Sequence, residues 1–180
     1  MEYMNFLVLV TGSIAVYKVC GLVSYLSKNH NVKVMMSQEA TKFVTPLTFE
    51  VLSKNKVVTD LFVEENPEHM NHIYYSQEYD YIIVAPATFN IIGKVANGIA
   101  DDLVSTTISA TNKPLIFVPA MNTEMYNNPI LKENINKLKR HGYKFILPET
   151  GKLACGATGH GKYPDNKKIT DYLKQKGVVI

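Results

Sequence analysis

The sequence predicts an α/β fold with a mostly parallel sheet covered by helices on both faces. Two observations carry this. Short apolar runs alternate with segments of helical period along the chain. The inner runs, 81–84 (YIIV) and 114–118 (PLIFV), are apolar throughout, as strands buried on both faces must be. Such alternation needs right-handed crossovers, which set functional loops at the carboxyl ends of the strands.

The elements follow in order. Residues 5–10 (NFLVLV) form a first buried strand, 11–13 a turn, and 14–28 a helix with apolar residues at Val16, Val19, Cys20, Val23 and Leu26. Residues 32–37 are a second strand and 38–44 a short helix. Thr45 and Pro46 are an N-cap and N1 pair for a helix ending at Ser53. Residues 57–61 are a weaker strand candidate, and 71–73 lie in a polar stretch. After the central strand come helices over 91–97 and 101–110. The strand over 114–118 is followed by an amphipathic helix over 129–140, with Gly142 as its C′ residue. A short strand over 144–147, an irregular Gly-rich segment over 150–165 and a helix over 166–176 complete the chain.

One domain over 1–180 is expected, with 150–165 as a flexible flap. Hydrophobic residues make up 46% and charged residues 19%, a globular rather than a disordered balance. A net charge of +3 without a dense basic block gives nucleic-acid binding no support. Two cysteines, Cys20 and Cys155, make no disulfide framework, so a reduced cytoplasmic setting is expected. The apolar run near the N-terminus lacks a basic region and reads as a strand, not a signal peptide, and no stretch has the length of a membrane span.

Three strand ends carry small and polar residues, and the topology brings them to one edge. In Thr11-Gly12-Ser13-Ile14-Ala15, Gly12 permits a tight turn and the following helix offers free N–H groups. That suits a phosphate or a plain helix cap. The GxGxxG pattern is absent, which favours a mononucleotide over a dinucleotide. In Ala85–Asn90, Thr88 and Asn90 suit a planar heterocycle with Phe89 packed nearby, or Thr88 serves only as a cap. In the third, Asn122 is placed to hold a carboxylate or amide, while Met125 alone suits packing. Cys155, between Ala154 and Gly156, is a thiol in a Gly-rich loop, which suits a lid carrying a reactive group. His72 stands alone, and no pairing of His30, His69, His72, His141 and His160 has metal-ligand spacing, so no metal is expected.

Together these loops resemble the homo-oligomeric flavin-containing cysteine decarboxylases. The resemblance is carried by TGSIAVYK at 11–18, NHI at 71–73, APATFN followed by GKVANGIADDL, PAMNTEMYNNP and LACGATGHG, in this order. It implies a three-layer Rossmann-like or flavodoxin-like fold, bound FMN, and a homotrimer or larger trimer-based assembly with sites between subunits. By position it implies that Gly12, Ser13, Ile14, Ser37, Thr88, Phe89, Asn90, Ile91 and Ala120 contact FMN. It implies His72 and Cys155 as catalytic, with Asn122, Met125, Lys152, Leu153 and Ala154 at the substrate. Two motifs depart from the family pattern. PATFNI stands for PASANT, adding the bulk of Phe89 and losing a hydroxyl at Ile91, and Ala157 replaces an Asp after Cys155-Gly156.

The implied chemistry removes CO2 from a C-terminal cysteine unit. Simple loss of the carboxylate leaves an unstabilised carbanion, so a cofactor must supply an electron sink. A thiol near cysteine's free pKa of ~8.5 must first be deprotonated, a task for His72. A flap thiol can then protonate the enethiolate. Cys155 therefore favours the small substrate phosphopantothenoylcysteine, converted to phosphopantetheine in coenzyme A biosynthesis, over a lantibiotic-type peptide whose reaction stops at the enethiol. The chain ends at Ile180, so a separate synthetase is expected as pathway partner. A flavin-binding regulatory protein is an alternative of another class, without the acidic tail such proteins carry. A flavin prenyltransferase fits the flap and the PAMN loop poorly.

Overall fold

In the computed structural model, residues 3–62, 71–154, 156 and 158–179 are described. Five parallel strands form the centre: β1 (Asn5–Val10), β2 (Asn31–Met36), β3 (Tyr81–Ala87), β4 (Leu115–Pro119) and the short β5 (Lys144–Phe145). Their spatial order is β2-β1-β3-β4-β5. This is the flavodoxin-like doubly wound order, in which ligands bind where the order reverses, here between β1 and β3.

The period-two pattern divides the core. Phe6, Val8 and Val10 face one side with α1 (Val16–Leu26), α2 (Pro46–Ser53) and α8 (Asn166–Gln175). Leu7 and Leu9 face the other, with α3 (Asn71–Glu78), α4 (Phe89–Ala96), α5 (Leu103–Ser109) and α7 (Pro129–Arg140). A short α6 (Thr123–Asn127) follows β4. Both layers are dry: Phe6, Leu7, Val8 and Leu9 have no exposed surface. Apolar burial drives this closure at roughly 25 cal/mol per Å². No helix among the described residues is long and apolar enough to cross a membrane.

Several predicted boundaries shift. Helix α1 begins at Val16 rather than 14, because Ser13 and Ala15 still belong to the turn, with the Val16 N–H donating to the Ser13 carbonyl. The helix over 38–44 is only a 3-10 turn at Ala40–Lys42. The strand over 57–61 reduces to one bridge, Met35 to Val58. The stretch containing His72 is a helix, α3, whose Tyr75 is buried against the second core with Tyr79 just past the helix end, although the helix's mean polarity hides the pattern. Residues 150–165 are not simply irregular: β6 (Glu149–Lys152) and β7 (Thr158–Lys162) pair as an antiparallel hairpin. Their ladder places Gly opposite Gly and has almost no apolar alternation, so no strand signal existed to read. His69 and Cys155 lie outside the described residues.

Phe117 shows how the layers depend on one another. It is fully buried in β4, stacks on Phe145 at 5.0 Å between ring centroids and meets Tyr143 edge-on at 5.9 Å. Replacing it by Ala should cost about 3–5 kcal/mol of stability. Urea unfolding followed by circular dichroism measures this, and a loss under about 1 kcal/mol would mean that the layer collapses onto the void.

Candidate active site

A cavity of about 780 Å³ opens at the carboxyl edge of the sheet, within the range of small-molecule and cofactor sites. It begins at the loop after β1. The Thr11 hydroxyl donates to the Pro86 carbonyl at 2.5 Å, and the Thr88 N–H donates back to the Thr11 oxygen at 3.3 Å. These bonds draw the loops after β1 and β3 together across the point where the strand order reverses. The N–H groups of Ser13 and Ile14 meet no acceptor among the described residues, ahead of the eleven-residue α1. Gly12 sits against Glu39 so closely that a β-carbon there would stand 2.5 Å from the Glu39 β-carbon. Any side chain would push the loops after β1 and β2 apart.

The second wall is Thr88, Phe89, Asn90 and Ile91. Thr88 caps α4 by accepting from the Ile91 N–H at 3.3 Å, so capping and lining are carried by one residue. The third wall is Ala120, Met121, Asn122 and Met125. Asn122 caps α6, its Oδ1 accepting from the Glu124 N–H at 2.8 Å. Because that donor requires an oxygen, the amide is oriented, and its Nδ2 donors stay available to a ligand.

The hairpin closes the fourth side with Lys152, Leu153, Ala154 and Lys162. It is seated by the Met121 N–H, which donates to the Gly161 carbonyl at 3.0 Å. Gly161 has φ +108°, and a β-carbon there would run into the Met121 carbonyl. The Thr123 hydroxyl adds a bond to the His160 carbonyl at 2.9 Å. The flap is thus fixed to the loop that carries Asn122.

Every predicted cofactor and substrate position therefore lines one cavity: Gly12, Ser13, Ile14, Ser37, Thr88, Phe89, Asn90, Ile91, Ala120, Asn122, Met125, Lys152, Leu153 and Ala154. His72 does not. It sits half-buried on α3, away from the cavity lining, with its Nδ1 buried and lacking a partner among the described residues. The reading of the sequence missed Lys18, Glu39, Asp102, Lys162 and Tyr163, which also line the cavity. Lys18 was findable, since it lies in the first turn of the helix that leaves the first loop, four residues after Ile14. Lys162 and Tyr163 were not, because the hairpin brings them in.

Asp102 is the acidic centre of the wall. It caps α5, accepting from the Ser105 N–H at 2.8 Å within a capping box, and receives Lys94 Nζ at 2.6 Å. Asp101 lies 2.6 Å from the same ammonium. Burial alone would raise the Asp102 carboxyl, but the bonds from Lys94 and Ser105 outweigh it and hold it below the usual carboxylate range. Burial would likewise lower Lys94, and the two carboxylates outweigh that and raise it. The folded state thus keeps Asp102 ionised where the unfolded chain would bind a proton. Its contribution is full above the unfolded value near ~3.9 and is lost as pH falls through the folded value. That of Lys94 is full below its unfolded value near ~10.4 and is lost as pH rises through the folded one. Asp102→Ala should cost about 1–2 kcal/mol at pH 7, and Asp102→Asn, which keeps the cap, clearly less. Denaturant titration at pH 7 and at pH 3 measures both, and the gap between wild type and Asp102→Asn should narrow at pH 3.

The flavoprotein family profile matches residues 1–177. The chain is 50% identical over 166 residues to the coenzyme A biosynthesis bifunctional protein CoaBC of Bacillus subtilis, covering 92% of this chain and 41% of that one. The chain thus spans less than half the length of that relative. It is 40% identical over 173 residues to a probable phosphopantothenoylcysteine decarboxylase of Streptococcus mutans, covering 94% of this chain and 97% of that one. Among solved structures, a PPC decarboxylase variant complexed with pantothenoylaminoethenethiol superposes with a TM-score of 0.89 at 26% identity, over 98% of this chain and 99% of that one. The chain therefore belongs to the flavoprotein family, and its fold is that of the cysteine decarboxylases within it.

Proposed function

We propose that this chain is the FMN-dependent decarboxylase that converts phosphopantothenoylcysteine to phosphopantetheine in coenzyme A biosynthesis. The observation that carries this is the convergence of an anion-ready helix start, an oriented Asn122 and a seated flap on one cavity. The relatives in Bacillus subtilis and Streptococcus mutans, named for the same pathway and the same reaction, support it.

The residues fit FMN. Ser13 and Ile14 present unpaired N–H groups to a phosphate, and Gly12 leaves the backbone bare at that point. Ile91 and Ala120 are buried apolar surface beside the cavity, suited to a flat ring. When bound, FMN supplies the two-electron sink that loss of CO2 from a cysteine carboxylate requires.

The chain's own groups then divide the work. The Asn122 Nδ2 donors hold the substrate carboxylate. Leu153 and Ala154 cover the substrate and keep water out. Cys155, next in sequence, gives the proton that completes the product. His72 assists loss of the proton from the substrate thiol. Because His72 does not line its own chain's cavity, we assign it to the site of a neighbouring subunit in a homotrimer or a larger trimer-based assembly. Cytoplasmic location, one catalytic domain over 1–180 and a partner synthetase that supplies the cysteine amide belong to the same proposal.

Mass spectrometry of the FMN-loaded protein with phosphopantothenoylcysteine tests it. The product should be lighter by CO2 alone. With Cys155→Ser the product should also lack two hydrogens. Turnover only of a peptide ending in cysteine would overturn the substrate. Mixed trimers test the shared site: His72→Asn and Asn122→Asp should each be nearly inactive alone, yet regain a fraction of activity when refolded together. A mixture as inactive as its parents would place both residues in one subunit's site.

A further inference from the structure

The cavity carries more positive charge than its own carboxylates balance. Lys18, Lys152 and Lys162 line it, and none lies within ion-pair distance of a carboxylate among the described residues. The lining carboxylates are Glu39 and Asp102, and Asp102 is taken by Lys94. The free N–H groups of the loop after β1 meet one phosphate, which the flavin supplies. Among the described residues Glu39 is then the one lining carboxylate set against three cations, and none of the three is within ion-pair distance of it, so the wall stays open to an anionic ligand.

Lys162 is the one that the structure holds in place. It is half-buried at the base of the hairpin, and its register partner across the ladder is Glu149. That carboxylate does not neutralise it: the Glu149 Oε1 accepts from the Asp165 N–H at 3.3 Å instead. The Lys162 side chain lies back over Gly151, where a β-carbon would stand 2.9 Å from its Cδ and 3.2 Å from its Nζ. A side chain at 151 would have to displace the end of the lysine from this path. The ammonium is thus laid along the hairpin toward the flap, uncompensated and on the cavity wall.

A phosphorylated substrate arm is long enough to meet two parts of the wall at once. In phosphopantothenoylcysteine about eleven bonds separate the cysteine α-carbon from phosphorus, about 13 Å when extended at three bonds per ~3.5 Å. The carboxylate end and the phosphate can therefore meet different parts of the one cavity that Asn122 and Lys162 both line.

We infer that Lys162 binds the phosphate monoester at the far end of the substrate, so that the hairpin selects a phosphorylated small molecule as well as covering it. This rests on the substrate proposed above. A peptide ending in cysteine has no group for this cation, so Lys162 separates the two substrate classes.

The test compares FMN-loaded wild type, Lys162→Met and Lys162→Arg on phosphopantothenoylcysteine and on pantothenoylcysteine, its unphosphorylated counterpart. The readouts are kcat/KM for each substrate and the FMN Kd from flavin fluorescence. In Lys162→Met the selectivity ratio for the phosphorylated substrate should fall about tenfold to a hundredfold, chiefly through KM, as expected for a lost bond between charged groups. Lys162→Arg should restore most of it, and the FMN Kd should move less than about twofold. An unchanged ratio overturns the inference. A fall in FMN affinity of the same size as the fall in selectivity also overturns it, by giving the cation to the cofactor. Wild type inactive on both substrates removes the substrate assignment itself, and this inference with it, a result distinct from an unchanged ratio.

Discussion

The hydroxyl of Thr11 donates to the carbonyl of Pro86 and accepts from the N–H of Thr88, and the site depends on that junction. It joins the loops on either side of the point where the strand order reverses, where a parallel sheet otherwise leaves a crevice. From it the connections run outward. The Ala120 N–H donates to the Ala87 carbonyl at 3.2 Å, and the Met121 N–H to the Gly161 carbonyl. Four chain segments distant in sequence are thus tied by main-chain and hydroxyl bonds that do not depend on any ligand. The cavity is preorganised in the sense that its walls are already paired to one another.

The same residues serve as caps and as walls. Thr88, Asn122 and Asp102 each satisfy a helix start, and each also lines the cavity. A cap fixes the side chain's rotamer and uses one of its lone pairs. What remains, such as the Nδ2 donors of Asn122, is held in a known direction. This is why helix N-termini at strand ends recur as binding sites: the groups that stabilise the fold also point at the crevice.

Charge on the walls divides into balanced and unbalanced sets. Lys94, Asp101 and Asp102 close on themselves within 2.6 Å contacts and stiffen the entry to α5. The lysines of the cavity have no such internal partner among the described residues. Screening is weaker in a concave, partly apolar site than on an open surface, so uncompensated cations there exert more pull on an anionic molecule. A decarboxylase substrate that carries both a carboxylate and a phosphate suits that field.

How far the sequence could be read follows from which signals are local. The parallel sheet, the two buried inner strands and the start of α2 at Thr45-Pro46 were legible, because apolar runs, helical period and caps act over a few residues. The lining loops were legible for the same reason, as strand ends followed by small and polar residues. The α3 helix was not, since its buried Tyr75 stands among polar residues and gains its environment only from the second core. The hairpin was not either, since glycines facing glycines carry no strand propensity and the pairing is set by docking on the Asn122 loop. The sequence alone therefore determined the order of elements and the residues of the loops, which depend on neighbours along the chain. Only the tertiary structure decided that Lys162 enters the cavity while His72 stays outside that of its own chain, because those placements depend on contacts between segments that the chain's local chemistry does not encode.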